Sequence, residues 1–297
     1  MKMAIMCLAH KNFEQIEYLI QALHHNSVDV YIHVDQKNDG LYSQLMDKYE
    51  HSKKIYIINR RISVNRGGLS VVEAILALMK EVVQRNYDYV SLISGQCFPI
   101  QSMEYIINFL ELNKGNEYIE GGVIGPNFWR LKCFNFFSEN KNNRKMAIRV
   151  LDNICRRPQK VLIRRKTFKG LGLYKGSTWF TITYDCLKYM VDYIDQNPIY
   201  LRDYRFSYCP DESFFHILVM NSEYKSKVIN NDLMEIDWIN QIQGSPRVYN
   251  VNDYEMLKSS PKLFARKFDI EQDKEIVLQL MSSMNHEEEE EYKILSL

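Results

Sequence analysis

The sequence predicts an α/β fold: a Rossmann-like, mostly parallel central sheet flanked by helices. Three observations carry this. Short runs rich in Val and Ile alternate with stretches of helical periodicity through the first third of the 297-residue chain. Repeated strand–helix units of this kind join parallel strands by right-handed crossovers. Each early apolar run also stops at a turn-forming or polar residue, at His10, Asp35 and Ser94-Gly95. Open α/β sheets bind ligands beyond the carboxyl ends of their strands, so these stops, together with Gly67-Gly68, fall on one candidate rim.

Taken in order, Met3–Ala9 reads as a buried strand, too short for a signal peptide. Residues 13 to about 25 form a helix with Ile16, Leu19, Ile20 and Leu23 on one face. Val28–Asp35 and Lys54–Asn59 are strands. Gly67-Gly68 opens a long helix with a capping box expected at its start, Ser70 capping and Glu73 reaching back. Its core stripe is Val71, Ile75, Leu78 and Val82. Tyr87–Ser94 is the next strand. Later, Trp179–Thr183 reads as a strand and 184–195 as a helix. Cys209-Pro210-Asp211-Glu212 opens a helix with Phe214, Phe215, Leu218 and Val219 inside. Proline suits a first turn and aspartate a cap, so Asp211 is the expected cap. Glu212 then feels the positive end of the helix dipole. The glutamates 287–291 read as a frayed helix.

We expect a single domain, with a nucleotide-binding half over 1–115, an acceptor and catalytic half over 116–270, and a helical tail over 271–297. A 46% hydrophobic composition supports a sizeable core, and a net charge of +1 gives no global field toward nucleic acid. Six scattered cysteines lack zinc or redox spacing, and no apolar run is long enough to span a bilayer. The expected location is cytoplasmic. Between Glu139 and Asp185 lie twelve Lys or Arg and one acid, Asp152. This 141–175 stretch reads either as a solvated face or as a peripheral contact with anionic lipid on the inner face of the membrane, or with an acidic glycan. Few aromatics are interleaved for base stacking, which argues against nucleic acid.

Several residue types carry chemistry. Glu212, fixed beside buried aromatics, suits a general base, although acids are common at helix starts. Asp35 ends a strand, where it either accepts from ribose hydroxyls or forms a turn. Arg66-Gly67-Gly68 lacks the phosphate-loop patterns and reads as a turn. No D-x-D triplet occurs, so no metal cage is expected and protein cations would have to neutralise a leaving diphosphate. Arg247 and Lys267 lie among aromatics, and a fork and a point charge both bind phosphate, unless both merely snorkel at the surface. His10 and His33 have no nucleophile pattern beside them and read as structural. Trp129 and Trp238 read as sugar platforms or core, and Trp179 as core.

Tyr31-Ile32-His33-Val34-Asp35-Gln36-Lys37, Gly67-Gly68-Leu69-Ser70-Val71-Val72-Glu73-Ala74, Leu92-Ile93-Ser94-Gly95-Gln96-Cys97-Phe98-Pro99-Ile100, Gly176-Ser177-Thr178-Trp179-Phe180, Pro210-Asp211-Glu212 and Phe264-Ala265-Arg266-Lys267-Phe268 occur in this order. Together, from about Ile5 to Phe268, they resemble the core-2/I-branching N-acetylglucosaminyltransferase and peptide O-xylosyltransferase family, glycosyltransferase family 14, in its bacterial type. The resemblance implies a GT-A-like fold and inverting, metal-independent transfer of a sugar, GlcNAc or xylose, from a UDP-sugar to a hydroxyl. No cofactor is implied. It makes Glu212 the general base and gives the diphosphate to Arg247 and Lys267. Asp35 takes the uridine end beside the backbone of Leu8–His10, and Glu120, Arg130 and Trp238 face the acceptor, a glycan or lipid-linked glycan of surface polysaccharide synthesis. Arg66 stands where the family often has tryptophan, Cys97 where it has aspartate, and the Trp238–Arg247 segment is short; these departures bear on the acceptor. The competing expectations are a non-catalytic basic adaptor for membrane or acidic polymer, and a nucleotide-sugar hydrolase.

Overall fold

A computed structural model of the chain describes residues 1–125, 128–143, 145–159, 165, 167–241 and 244–284. Its elements run β1 (Met3–Ala9), α1 (Phe13–Ala22), β2 (Val28–Val34), α2 (Asp39–Tyr49), β3 (Ile55–Ile57), α3 (Ser70–Val82), β4 (Tyr89–Ser94), β5 (Cys97–Pro99), α4 (Met103–Leu112), β6 (Glu117–Tyr118) and β7 (Gly122–Val123). Then follow α5 (Trp129–Lys132), α6 (Met146–Gln159), β8 (Tyr174–Lys175), β9 (Phe180–Thr183), α7 (Tyr184–Gln196), α8 (Pro198–Asp203), α9 (Phe214–Met220), β10 (Val228–Ile229), β11 (Met234–Ile236), α10 (Tyr254–Lys258) and β12 (Phe264–Arg266). A helix over 275–284 closes the described chain.

The central sheet has the order β10-β6-β9-β4-β1-β2-β3. Strands β4, β1, β2 and β3 are parallel, as expected, while β9 runs antiparallel to β4 and β6. β1 shows why the centre forms. Met3, Ile5, Cys7 and Ala9 enter one apolar cluster, and Ala4 and Met6 enter the other. A strand buried on both faces reads as a continuous apolar run. α1, α4 and the 275–284 helix cover the first face; α3, α7 and α9 cover the second. Ile276, Val277, Leu280 and Met284 therefore belong to the core, whereas Glu287–Glu291 lie outside the described residues. Among the described residues, no disulfide forms and no helix is long and apolar enough to cross a membrane.

Two expected caps are replaced. Ser70 lies inside α3, and the capping position, Leu69, offers no side-chain acceptor. Instead Glu139 accepts from the Ser70 amide at 2.8 Å and from its hydroxyl at 2.9 Å. Glu73 does not reach back; burial and the nearby Glu139 charge push its carboxyl up. Gly68 makes room for this arrangement, since a Cβ there would lie 2.3 Å from the Glu139 carboxylate. Residues 210–212 form a short 3-10 turn, not the first turn of α9, and Asp211 caps nothing. The break falls after Cys209, whose φ of 46° is left-handed and whose amide is tied to the Gly67 carbonyl at 2.8 Å.

Candidate active site

The strand order β3-β2-β1-β4 reverses direction at β1, and such switch points open a crevice beyond the carboxyl ends of the strands. Here that crevice is floored by Leu8–His10, Asp35 and Ser94-Gly95, joined through Gly95 N to Leu8 O (3.0 Å) and Asp35 N to Ala9 O (2.9 Å). Asp35 Oδ1 accepts from the Lys37 amide at 3.0 Å, a turn-forming contact. His33 is structural: it is buried, accepts from the Ile62 amide at 2.9 Å, and burial pulls its pKa down to about 4.

Cations crowd one side of this crevice. Lys267 follows β12, which pairs with β5 so that Arg266 sits opposite Cys97. Gln15, buried on α1, donates to the carbonyls of Gly95 (2.7 Å) and Phe268 (3.1 Å), fixing the Lys267 backbone against the sheet rim. Desolvation lowers the Lys267 pKa, and the charges of Arg266, Lys11 and Arg66 lower it further against Asp269 alone. His10 is lowered by desolvation and then by Arg266, Lys11 and Lys267. Arg266 donates to the Ser94 hydroxyl and lies 4.8 Å over the Trp179 ring. Among the described residues, no carboxylate lies within ion-pair distance of Lys267 or Arg266, while Lys11 pairs with Asp269 at 2.8 Å.

Arg247 is differently placed. Its Nε binds Asp237 at 2.7 Å, and its fork binds Asp253 through two 2.8 Å contacts. These hydrogen bonds raise its pKa well above the ordinary value. Asp237 also accepts from the amides of Ile239 (3.0 Å) and Asn240 (3.2 Å), so this knot shapes the turn that carries Trp238, which is 51% exposed. Trp129, by contrast, is packed: Tyr208 stacks on it at 5.5 Å and the Arg156 guanidinium lies 3.8 Å from its ring centre.

Glu212 sits on the 3-10 turn, a third exposed, and pairs with Arg130 of α5. Around it, residues 176–178 are pinned at every step. The Gly176 amide donates to the Glu212 carbonyl at 2.9 Å, and the Ser177 amide donates to Glu120 at 2.8 Å. His216, kept neutral because burial pulls its pKa to about 4, donates from Nε2 to the Ser177 carbonyl at 2.8 Å. Thr178 donates to Asp211 at 2.8 Å. Asp211 is part-buried; desolvation, then the Glu212 charge, push its carboxyl up to about 6. The next residue, Trp179, meets Arg266. One four-residue segment thus joins the glutamate to the cation recess. Among the described residues, no group of three or more His, Cys, Asp or Glu side chains gathers as a metal site would.

A family model, Core-2/I-Branching enzyme, matches residues 3–260. The chain belongs to the Core-2/I-Branching enzyme family. Similar proteins include xylosyltransferase 2 of Mus musculus and xylosyltransferase oxt of Drosophila melanogaster, each 24% identical over 93% of this chain. The chain spans about a third of these relatives, 33% and 32% of their lengths. A 4-diphosphocytidyl-2C-methyl-D-erythritolsynthase of Anaerococcus prevotii superposes with a TM-score of 0.38 at 10% identity, covering 87% of this chain and 95% of that one.

In this Core-2/I-Branching chain, Glu212 and Arg130 come together, as do Glu120 and Gly176-Ser177. Lys267, His10 and Asp35 share the crevice region, whereas Arg247 is held in its own knot. Sequence reasoning missed Gln15, Lys11, Arg266, Thr178 and His216. Gln15 had one signal, a polar residue on the side of α1 that also carries Ile16 and Leu19.

Proposed function

We propose that this chain is a GT-A-like, inverting glycosyltransferase that moves a sugar, GlcNAc or xylose, from a UDP-sugar to an acceptor hydroxyl without a metal ion. Membership in the Core-2/I-Branching family and the xylosyltransferase relatives support the coarser reading, transfer of a sugar. The observation that carries the mechanism is a carboxylate held by Arg130 and a crowd of like charges, joined by residues 176–179.

Glu212 takes the proton of the acceptor hydroxyl. The freed oxygen attacks the anomeric carbon from the face opposite UDP, and the bond to the diphosphate oxygen breaks with its electron pair. General-base catalysis of this kind contributes on the order of 10²–10⁴-fold. Lys267 and Arg266, with Lys11 behind them, meet the charge on the leaving diphosphate; preorganised cations need no rearrangement at the moment of reaction. Asp35 and the Leu8–His10 backbone hold the uridine end. Glu120, Arg130 and Trp238 border the acceptor, a glycan or lipid-linked glycan of surface polysaccharide synthesis. Arg247 reaches a phosphate only by releasing Asp253, so its first role here is to fix the Trp238 turn.

A screen of UDP-sugars by UDP release, run with EDTA and with Mn²⁺, tests the reading. Release that persists in EDTA with sugar recovered on an acceptor supports it. Free sugar alone makes the chain a hydrolase, and activity that requires Mn²⁺ overturns the metal-free mechanism.

A further inference from the structure

We propose that α6 is an interfacial helix that docks the protein on a lipid bilayer rich in anionic headgroups. The inference stands on α6 itself and does not depend on the transferase reading.

The helix has two unlike faces. Its inner side is moored to the protein. Gln159 accepts from the Phe134 amide at 2.7 Å and donates to the Phe134 and Cys155 carbonyls, and Arg156 lies over Trp129. At 100° per residue, Met146, Val150, Leu151 and Ile154 share an arc on the opposite side. They are 74%, 46%, 47% and 58% exposed, four large apolar side chains on one helix. Phe136, 54% exposed, stacks on Phe134, which Gln159 ties to the end of α6. A contiguous apolar patch of this kind marks an interaction surface.

Charge selects the occupant. Arg157 falls within this arc, Arg149 flanks it at the rim of the cavity beneath the helix, and Lys145 directly precedes the helix; all three are exposed. Its single acid, Asp152, is turned inward, lining a cavity of about 210 Å³ with Trp129 and Tyr208 and pairing with Arg156 at 3.4 Å. The outer face therefore offers apolar side chains with Arg157 among them and Arg149 at their edge, and no carboxylate of the helix on that side. A helix of that composition lies in the headgroup plane, its apolar arc among the acyl chains and its cations on the phosphates. Because α6 is already folded and moored, docking carries no cost of ordering a disordered segment.

The test is vesicle flotation of the full chain with phosphatidylcholine vesicles, with and without phosphatidylglycerol. Binding is expected only with phosphatidylglycerol and should weaken as salt rises. Arg149→Gln with Arg157→Gln should lower the partition about 25-fold, taking about fivefold per cation near an anionic surface. Val150→Asp with Ile154→Asp should lower it about 100-fold, since each buried apolar side chain contributes about tenfold. Ile154→Trp, placed on the arc, should shift its emission to the blue on phosphatidylglycerol vesicles alone. No binding to these vesicles, or binding unchanged in the Asp double variant, overturns the proposal. So does equal binding to soluble heparin that the Asp double variant retains, which makes the stretch a plain polyanion contact.

Discussion

Arg247 and Lys267 look alike in sequence, each a cation between aromatic residues, yet their surroundings are opposite. Arg247 is closed on itself by Asp237 and Asp253 and its charge is answered within the protein. Lys267 is partly desolvated and has Arg266, Lys11 and Arg66 around it, which lower its pKa against Asp269 alone. Like charges held together against their repulsion need an anion; a cation between two carboxylates does not. The difference favours Lys267 over Arg247 for the anion role proposed above, a distinction that residue type alone does not make.

Four measurements break or sharpen that contrast. Glu212→Gln sets the scale: turnover should fall by on the order of 10²–10⁴-fold with UDP binding nearly unchanged, and a fully active variant removes the base from the mechanism. Lys267→Ala should cost about 10²–10³-fold in kcat, in the range of other preorganised charge stabilisers. Asp211→Asn probes the part-buried carboxyl beside Glu212. The Asp211 carboxyl holds its proton to about pH 6, whereas in the unfolded chain it loses it near pH 4. Its contribution is thus full below about pH 4 and is lost as pH rises through 6, about 3 kcal/mol in all. Urea melts across that window should show the decline in the native protein and a flatter profile in the Asn variant. Arg247→Ala should lower kcat by less than about tenfold while lowering the melting temperature, because the knot holds a turn more than it holds the substrate. If Arg247→Ala loses as much turnover as Lys267→Ala, the contrast fails and the fork opens onto the diphosphate after all.

Much of the fold was legible because period-2 and period-3.6 patterns report directly on burial: β1, β2, β4, α1, α3 and α7 fall within a few residues of their sequence bounds. The antiparallel entry of β9 left no local mark, since strand direction is set by the path of the intervening chain. Capping failed twice for one reason. Ser70 and Asp211 are good caps by residue type, but Glu139 and Thr178, 69 and 33 residues away in sequence, provide the partners instead. At the candidate site, Glu212, Asp35 and Lys267 drew attention through motifs. Thr178, His216 and Gln15 were not, because their roles are hydrogen bonds across long sequence separations that no spacing encodes.

Glu139 at the head of α3 has a further consequence. With Gly67-Gly68 before it, that helix end offers backbone amides and a positive dipole, the usual greeting for a phosphate. The chain fills it with a carboxylate of its own, an intramolecular pseudo-ligand held on Ser70. Under the proposed function, a diphosphate finds these amides already taken and meets the side chains of Lys267 and Arg266 instead. Its capture is therefore a matter of screened point charges, and affinity for a diphosphate should drop steeply between dilute buffer and physiological ionic strength.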